Sequence, residues 1–319
     1  MQIRNYSTDV AIIGGGGAAL RAAIEASEKG QNVILVDKGR PGRSGATPCA
    51  LWSVQAPFGP RGQDERDSPE QFFEDMVTAG RFIGDQNLVE IVAFTACDRM
   101  LDLERYGVHF KKHDDGRFFQ TPMPGQTYPR SCFMIENGQH MSTVLAKEVS
   151  KHDNIQVFKD FFVFNLLKNA DSVVGLIGID MLTGDTVVIN AKVTVVAAGG
   201  YASLWGFSDN PPTLIGDGAA MAYRVGAELV DLEFNQYYGT DVIWPPSVKG
   251  TIFLYELMIS DFVDGEITDK DGNPIIDKPL PIRDDAIKTI FKVIKEGRGT
   301  EHGGVYYDTT VSPKTEAEI

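Results

Sequence analysis

Five small residues near the start of the chain, Gly14, Gly16, Gly17, Ala18 and Ala19, followed by a carboxylate at Asp37, have the spacing needed to hold a dinucleotide. Gly14 lets the backbone turn sharply, and Gly16 leaves no side chain where a pyrophosphate approaches. Gly17 and Ala18 open a helix whose first N–H groups and positive end attract phosphate. Ala19 holds the third position of G-x-G-x-x-G/A and is small enough for that helix to pack on its strand. Asp37 stands about 20 residues on, where a carboxylate accepts from a ribose hydroxyl, and Lys38 follows it. Such loops serve NAD and FAD alike, so these residues alone do not choose the cofactor.

Two strands and a helix must carry these groups. Val10-Ala11-Ile12-Ile13 is a short apolar run suited to a parallel strand buried on both faces, and Val33-Ile34-Leu35-Val36-Asp37 is its neighbour. The Gly- and Pro-rich loop from Gly39 to Pro48, with Arg43, Ser44, Gly45 and Ala46, lies where the far end of the ligand is expected. Apolar spacing predicts helices over Pro69–Gly80 and Gln86–Tyr106, the second burying Leu88, Ile91, Val92, Thr95, Met100 and Leu103, and a helix from about Met141 to Ser150. Runs at Ile155–Phe158, Phe161–Lys168, Val173–Asp180 and Asp185–Ile189, with a turn at Thr183-Gly184, predict a small antiparallel β meander. Lys192–Val196 reads as a further buried strand ending in Ala198, Gly199 and Gly200. Ligands lie beyond the carboxyl ends of strands in open α/β sheets, so these residues are expected at the same dinucleotide. Gly216 and Asp217 repeat the pattern, a glycine turn opening a helix of small residues.

Composition narrows the function classes. With 319 residues, 43% of them hydrophobic, the chain is long enough for two domains and a substantial core. A formal net charge of −14 argues against a nucleic-acid or anionic-membrane surface. The first strand leaves no room for a signal peptide and no apolar run reaches about 20 residues, so the expectation is a cytoplasmic protein that meets membranes only through partners. Cys49, Cys97 and Cys132 are odd in number and lack a C-x-x-C, which fits reduced thiols that cannot by themselves ligate an iron–sulfur cluster. His109 and His113 are four apart, but Phe110, Lys111 and Lys112 lack the glutamate of H-E-x-x-H. Gly107 and Asp114-Asp115-Gly116 mark a turn, so no metal site is expected.

Three further segments carry a family resemblance. Asn210-Pro211-Pro212-Thr213-Leu214-Ile215-Gly216-Asp217-Gly218 through Asp231-Leu232-Glu233-Phe234-Asn235-Gln236 is similar to a T-G-D-G…G-A…E-F-x-Q segment. Arg43-Ser44-Gly45-Ala46 is similar to a loop near the isoalloxazine, and Glu296-Gly297-Arg298-Gly299 to an E-G-R-G after a capping-domain helix. Together with the order of the elements, they resemble the flavoprotein family of fumarate reductase, succinate dehydrogenase, L-aspartate oxidase and adenylylsulfate reductase. The resemblance implies an α/β fold: a Rossmann-like FAD-binding domain over 1–235, without its C-terminal return segment, and an incomplete α+β capping domain over 236–319. It implies FAD, held non-covalently, because Gly45 stands where some members carry the histidine that attaches the flavin. Cys49 falls near the family's glutamine, and Gly45-Ala46 is closer to the adenylylsulfate reductase version.

The resemblance also implies the chemistry. Arg283 opens an R-D motif whose arginine delivers a proton to the substrate while flavin N5 delivers hydride; an arginine at a helix start opposes the helix dipole, itself a hint of function. Tyr238 and Thr240 align with the histidine and threonine of E-F-x-Q-F-H-P-T, which bind a substrate carboxylate. Thr240 is kept; the Tyr238 phenol donates one hydrogen bond but is uncharged near neutral pH, which implies weaker dicarboxylate binding or a different substrate. The implied partners are a small acidic substrate of the dicarboxylate kind, an iron–sulfur electron-transfer protein, and a chain or continuation supplying the second half. Without that half, turnover by the isolated polypeptide is expected to be weak or absent. Alternatives are an electron-transfer or scaffold subunit without dicarboxylate chemistry, or an adenylylsulfate-reductase-like activity. An NAD-linked dehydrogenase is disfavoured because no second nicotinamide-site motif is recognisable.

Overall fold

A computed structural model of the chain describes residues 2–51, 53–123, 125–252, 265–278 and 281–310. The first part of the chain supplies β1 (Ile3–Ile13), α1 (Gly17–Glu28), β2 (Val33–Val36), β3 (Ser53–Gln55), α2 (Pro69–Ala79), α3 (Gln86–Tyr106), β4 (Gln120–Thr121), β5 (Ser131–Phe133) and α4 (Gly138–Val149). There follow β6 (Ile155–Phe158), β7 (Phe161–Asn169), β8 (Ser172–Asp180), β9 (Thr186–Val196), α5 (Asp217–Arg224), β10 (Glu266–Thr268), α6 (Arg283–Lys295) and β11 (Tyr306–Asp308).

The main sheet has the order β6-β2-β1-β9-β8-β7. β1 is longer than its apolar core of Val10–Ile13 because its polar first half also pairs along β9, from Ile3↔Thr186 to Ile13↔Val196. β2, β1, β9 and β6 run parallel, and β7 and β8 continue the sheet antiparallel to β9. Two expectations change here. Ile155–Phe158 is not a meander strand but a parallel strand at the sheet edge, pairing with β2 from Val33↔Ile155 to Val36↔Phe158. Asp185–Ile189 and Lys192–Val196 are one strand, because Asn190 and Ala191 between them carry the ladder on through Ser7↔Asn190 and Thr8↔Ala191. The second half of that strand is also less buried than expected. The pairing of β8 with β9 extends only as far as Gly175↔Asn190, and Val193 beyond it is 54% exposed.

The apolar residues of the strands bury on both faces. Ile12, Val33 and Leu35 meet Ala19, Leu20, Ala23 and Ile24 of α1 and Leu145 and Val149 of α4, while Ile13, Ile34 and Val36 meet Phe161, Leu176, Ile189 and Met221 on the other side. α4 begins three residues before its predicted start because the Asn137 side chain accepts from the Gln139 N–H and caps it. α3 has its predicted bounds, but Leu88, Ile91 and Val92 are exposed where core contacts were expected, whereas Met100 is buried. Its C-terminal half packs into the cluster of Phe58, Val108, Phe118 and Met134; its first turns lack such a partner among the described residues.

The small sheet β3-β5-β4 is pinned by Arg130, which is fully buried. Its guanidinium donates to Asp67 at 2.7 Å, pairs with Asp75 at 2.7 Å and lies over the Phe72 ring. Toward the C-terminus, β10 and β11 pair antiparallel, and Ala286 and Ile290 of α6 pack on Ile267. On α6, Ile287, Ile290 and Val293 are buried and Phe291 is 52% exposed. Arg298 of the E-G-R-G segment has a structural role: it reaches Asp269 at 3.1 Å and so ties the end of α6 to the turn after β10.

Candidate functional site

The end of β1 meets the end of β9, and the space between them is a cavity of about 230 Å³. Gly14 has φ +123°, and a Cβ there would lie 2.2 Å from the Ala197 carbonyl oxygen, so only glycine fits this approach of two backbones. A Cβ on Gly15 would lie 2.4 Å from Asp37 Oδ2. At Gly16 the nearest atom to a Cβ would be Thr47 Oγ1 at 3.5 Å, which leaves the room a pyrophosphate needs beside the backbone. Thr47 also accepts from the Gly17 N–H at 2.8 Å, fixing the first turn of α1.

The cavity collects most of the residues singled out by spacing. Gly14, Gly16, Gly17 and Ala18 form one wall with Asp37 and Lys38, and Ser44, Gly45 and Ala46 another. Ala198, Gly199, Gly200 and Asp217 close it from the β9 side. Ala19 lies beneath the loop, fully buried against the sheet, as its small size requires. Gly216 stands behind the cavity as the left-handed residue before α5, its N–H donating to the Gly200 carbonyl at 3.2 Å. Arg43 is brought to the surface rather than to the cavity lining. Thr47, Leu214 and Met221 also line the cavity and carried no sequence signal beyond their nearness to glycines.

Two carboxylates shape its electrostatics. Asp37 is buried; desolvation pushes its carboxyl above the ordinary range, opposed by the Ser44 hydroxyl that donates to it and by the Gly39 N–H. Asp217 takes the Lys38 ammonium at 2.7 Å, so the cation beside Asp37 is already paired across the cavity.

A second cavity, of about 820 Å³, lies on the other side of the turn that follows β9. Gly199 and Gly200 line the first cavity, and Tyr201 and Ala202 line the second. Its walls are rich in aromatic residues, among them Trp205, Phe234, Tyr237 and a Trp244 ring stacked on His302 at 4.0 Å. Tyr238 and Thr240 both line it, and Thr240 is buried. Arg283, the first residue of α6, places its guanidinium carbon 4.8 Å from the centre of the Tyr238 ring, so the three residues expected to touch substrate are gathered at one place.

Asp241 joins them, a residue that spacing did not single out. It is half-buried in the same cavity, and its Oδ1 is shielded from solvent with no hydrogen-bond partner among the described residues. Desolvation, with repulsion from Asp209, pushes its pKa up to about 7. Its only trace in the sequence is an acid leading the apolar run Val242-Ile243-Trp244. The cavity thus brings together the hydroxyls of Tyr238 and Thr240 and a carboxyl poised to gain or lose a proton near neutrality, while Arg283 stands against the Tyr238 ring and is not among the lining residues.

No helix among the described residues is long and apolar enough to cross a membrane. The three cysteines are free thiols, and burial pushes Cys97 and Cys132 up to about 11 and about 12.

Comparison with known proteins agrees with this geometry. A family model described as FAD binding domain (FAD_binding_2) matches residues 9–253. A CoM/CoB fumarate reductase subunit from Methanothermobacter marburgensis is 36% identical over 322 residues, covering 98% of this chain and 57% of that protein. The structure of Mycobacterium smegmatis Sdh1 in complex with UQ1 superposes with a TM-score of 0.83 at 32% identity, covering 95% of this chain and 52% of that one. An E. coli quinol fumarate reductase chain gives a TM-score of 0.85 at 27% identity, over 96% of this chain and 54% of that one. The chain therefore spans about half the length of the relatives it matches. With its glycine loop, sheet order and half-length match all in agreement, the chain belongs to the FAD binding domain family of the fumarate reductase and succinate dehydrogenase flavoproteins.

Proposed function

We propose that this chain is the FAD-binding part of an oxidoreductase of the fumarate reductase and succinate dehydrogenase type, acting on a small acidic substrate. The observation that carries the reading is the shared wall. The turn from Gly199 to Ala202 separates a dinucleotide cleft from a cavity lined by Tyr238 and Thr240, with Arg283 against the Tyr238 ring. Bound FAD would supply hydride at the flavin N5. Gly14, Gly16 and Asp37 would hold the pyrophosphate and ribose, and the 44–46 loop would face the flavin end. Gly45 has no side chain able to form a bond to the ring, so retention would be non-covalent. Thr240 and Tyr238 would orient a substrate carboxylate by hydrogen bonds, and Arg283 would neutralise it and donate the proton.

In this reading residues 1–235 form the flavin-binding unit and 236–319 the capping unit. Electrons would be exchanged through an iron–sulfur partner, and the sequence that the relatives carry beyond the matched half would complete the active site. Asp241 favours a second reading, a flavin-binding electron carrier without dicarboxylate chemistry, because an ionised carboxylate in the cavity repels a dianion.

The test begins with the absorption spectrum of the chain purified with FAD, repeated on the supernatant after acid precipitation. Flavin in the supernatant supports non-covalent binding; flavin in the pellet overturns it. Anaerobic reoxidation of the reduced flavin by fumarate, in the chain completed with its remaining sequence, supports the oxidoreductase. Indifference to fumarate, succinate and adenylylsulfate in that completed protein selects the carrier.

A further inference from the structure

His109 does not meet His113, four residues on, whose Nε2 lies 2.8 Å from the Gln63 side chain. It meets Glu136 and His140, which the sequence holds far away. His109 Nδ1 is 3.1 Å from Glu136 Oε1, His140 Nε2 is 3.8 Å from Glu136 Oε2, and the two imidazole rings stack at 5.3 Å with 26° between their planes. We propose that His109, Glu136 and His140 form a binding site for a divalent transition-metal ion of the zinc type, apart from the dinucleotide cleft and the cavity beside it.

The fold brings the three together from separate elements. The Ile135 N–H donates to the His109 carbonyl at 2.9 Å, and Phe110 pairs with Met134, so an antiparallel crossing sets His109 beside Glu136. Glu136 immediately precedes Asn137, the cap of α4, and His140 stands in the first turn of that helix, one turn from Glu136. One potential ligand atom from each residue lies within 4.8 Å of the other two. Zinc bonds of about 2.0–2.2 Å to nitrogen and oxygen put neighbouring ligands about 3.3–3.6 Å apart in a tetrahedron, so the His109–Glu136 spacing of 3.1 Å is close to that of a bound pair, and with all three ligand atoms within 4.8 Å of one another the imidazoles need to approach by about 1–1.5 Å.

The donor chemistry agrees. Two imidazoles and one carboxylate suit zinc, cobalt, nickel or copper and not calcium or magnesium, which take oxygen ligands. His140 Nε2 lies 3.2 Å from the Gly107 carbonyl, which can only accept, so this nitrogen carries the ring proton in the ion-free form. Ligation through Nε2 moves that proton to Nδ1 and leaves the Gly107 oxygen next to the ion. His109 is exposed and His140 half-buried, so an ion enters from solvent and water completes its shell.

The ion would clip the chain after α3 to the start of α4. That helix start is tied to the loop beside the dinucleotide cleft: the Gly138 N–H donates to the Ala50 carbonyl at 2.9 Å, and a Cβ on Gly138 would lie 2.2 Å from the Thr47 carbonyl oxygen.

The experiment is a titration of the full chain with Co2+, read by its visible d–d absorption, in a Cys49→Ser background that removes the exposed thiol. Saturation at one equivalent with reversal by Zn2+ is expected. His109→Ala and Glu136→Gln each weaken binding by at least about tenfold, since loss of a direct ligand exceeds the tenfold or greater effect of losing a supporting group. His113→Ala leaves binding unchanged. His109 is exposed, so its variant keeps its fold, checked by an unchanged ion-free unfolding midpoint. Absence of saturable binding, or binding that His109→Ala and Glu136→Gln leave intact, overturns the proposal.

Discussion

Asp241→Asn removes a half-buried carboxyl whose shielded oxygen has no hydrogen-bond partner among the described residues. In the folded chain its pKa rises from 3.8 to about 7, which at ~1.4 kcal/mol per pH unit sets a ceiling of about 4 kcal/mol. The group is only partly shielded, and the solvent that still reaches it screens the penalty to about 1–2 kcal/mol. The sign follows from linkage. Below the ordinary value both folded and unfolded forms are protonated and nothing is lost. Between there and about 7 the unfolded chain ionises while the folded chain keeps its proton, so the stability of the native protein falls as pH rises; above about 7 the full penalty is present. Equilibrium urea unfolding at about pH 4, 6 and 8 therefore shows the asparagine variant near parity at the lowest pH and more stable by about 1–2 kcal/mol at the highest. A gap that stays constant with pH, or one that opens in the opposite direction, refutes the reasoning that burial rather than a specific contact governs this carboxyl.

Two other outcomes follow from the packing. Arg130→Ala leaves Asp67 and Asp75 without their counter-ion and lowers stability by about 3–5 kcal/mol, whereas Arg130→Met combined with Asp67→Asn and Asp75→Asn recovers most of it; denaturant titration of both variants checks this, and equal losses contradict it. Gly15→Ala drives a methyl group to within 2.4 Å of the Asp37 carboxylate and 2.8 Å of Pro41 Cα, so FAD retention in equilibrium dialysis falls by at least about tenfold, or ~1.4 kcal/mol; undiminished FAD binding contradicts it.

The glycine loop and its carboxylate could be read from the chain because their chemistry is local. The turn at Gly14, the bare backbone at Gly16 and the end of β2 before Asp37 are fixed by neighbours within one βαβ unit. The bounds of α3, Gln86–Tyr106, followed from the apolar period, whereas the start of α4 was missed by three residues because the Asn137 cap was not read. What periodicity does not state is which apolar stripe finds a partner: Leu88 and Met100 share the α3 pattern, but only Met100 reaches a core. Pairing across long stretches was also hidden. Asn190 looks like a break between two strands until β1 lies beside it and supplies the ladder. Asp241 and the His109–Glu136–His140 group were missed for the same reason, since burial and convergence are properties of the folded chain and no spacing encodes them.

The placement of β9 beside β1 bears on how the protein acquires its cofactor. Ile3 pairs with Thr186 and Ile13 with Val196, so the wall that completes the dinucleotide cleft comes from the far side of a very long loop closure. Parallel pairing at such separation is slow, because chain entropy is lost before any contact repays it. During synthesis the glycine loop emerges early but has nothing to close against until β9 has left the ribosome. FAD loading is then a late event that follows the assembly of the sheet, and the exposed edge of β1 must be protected from other strands until that moment.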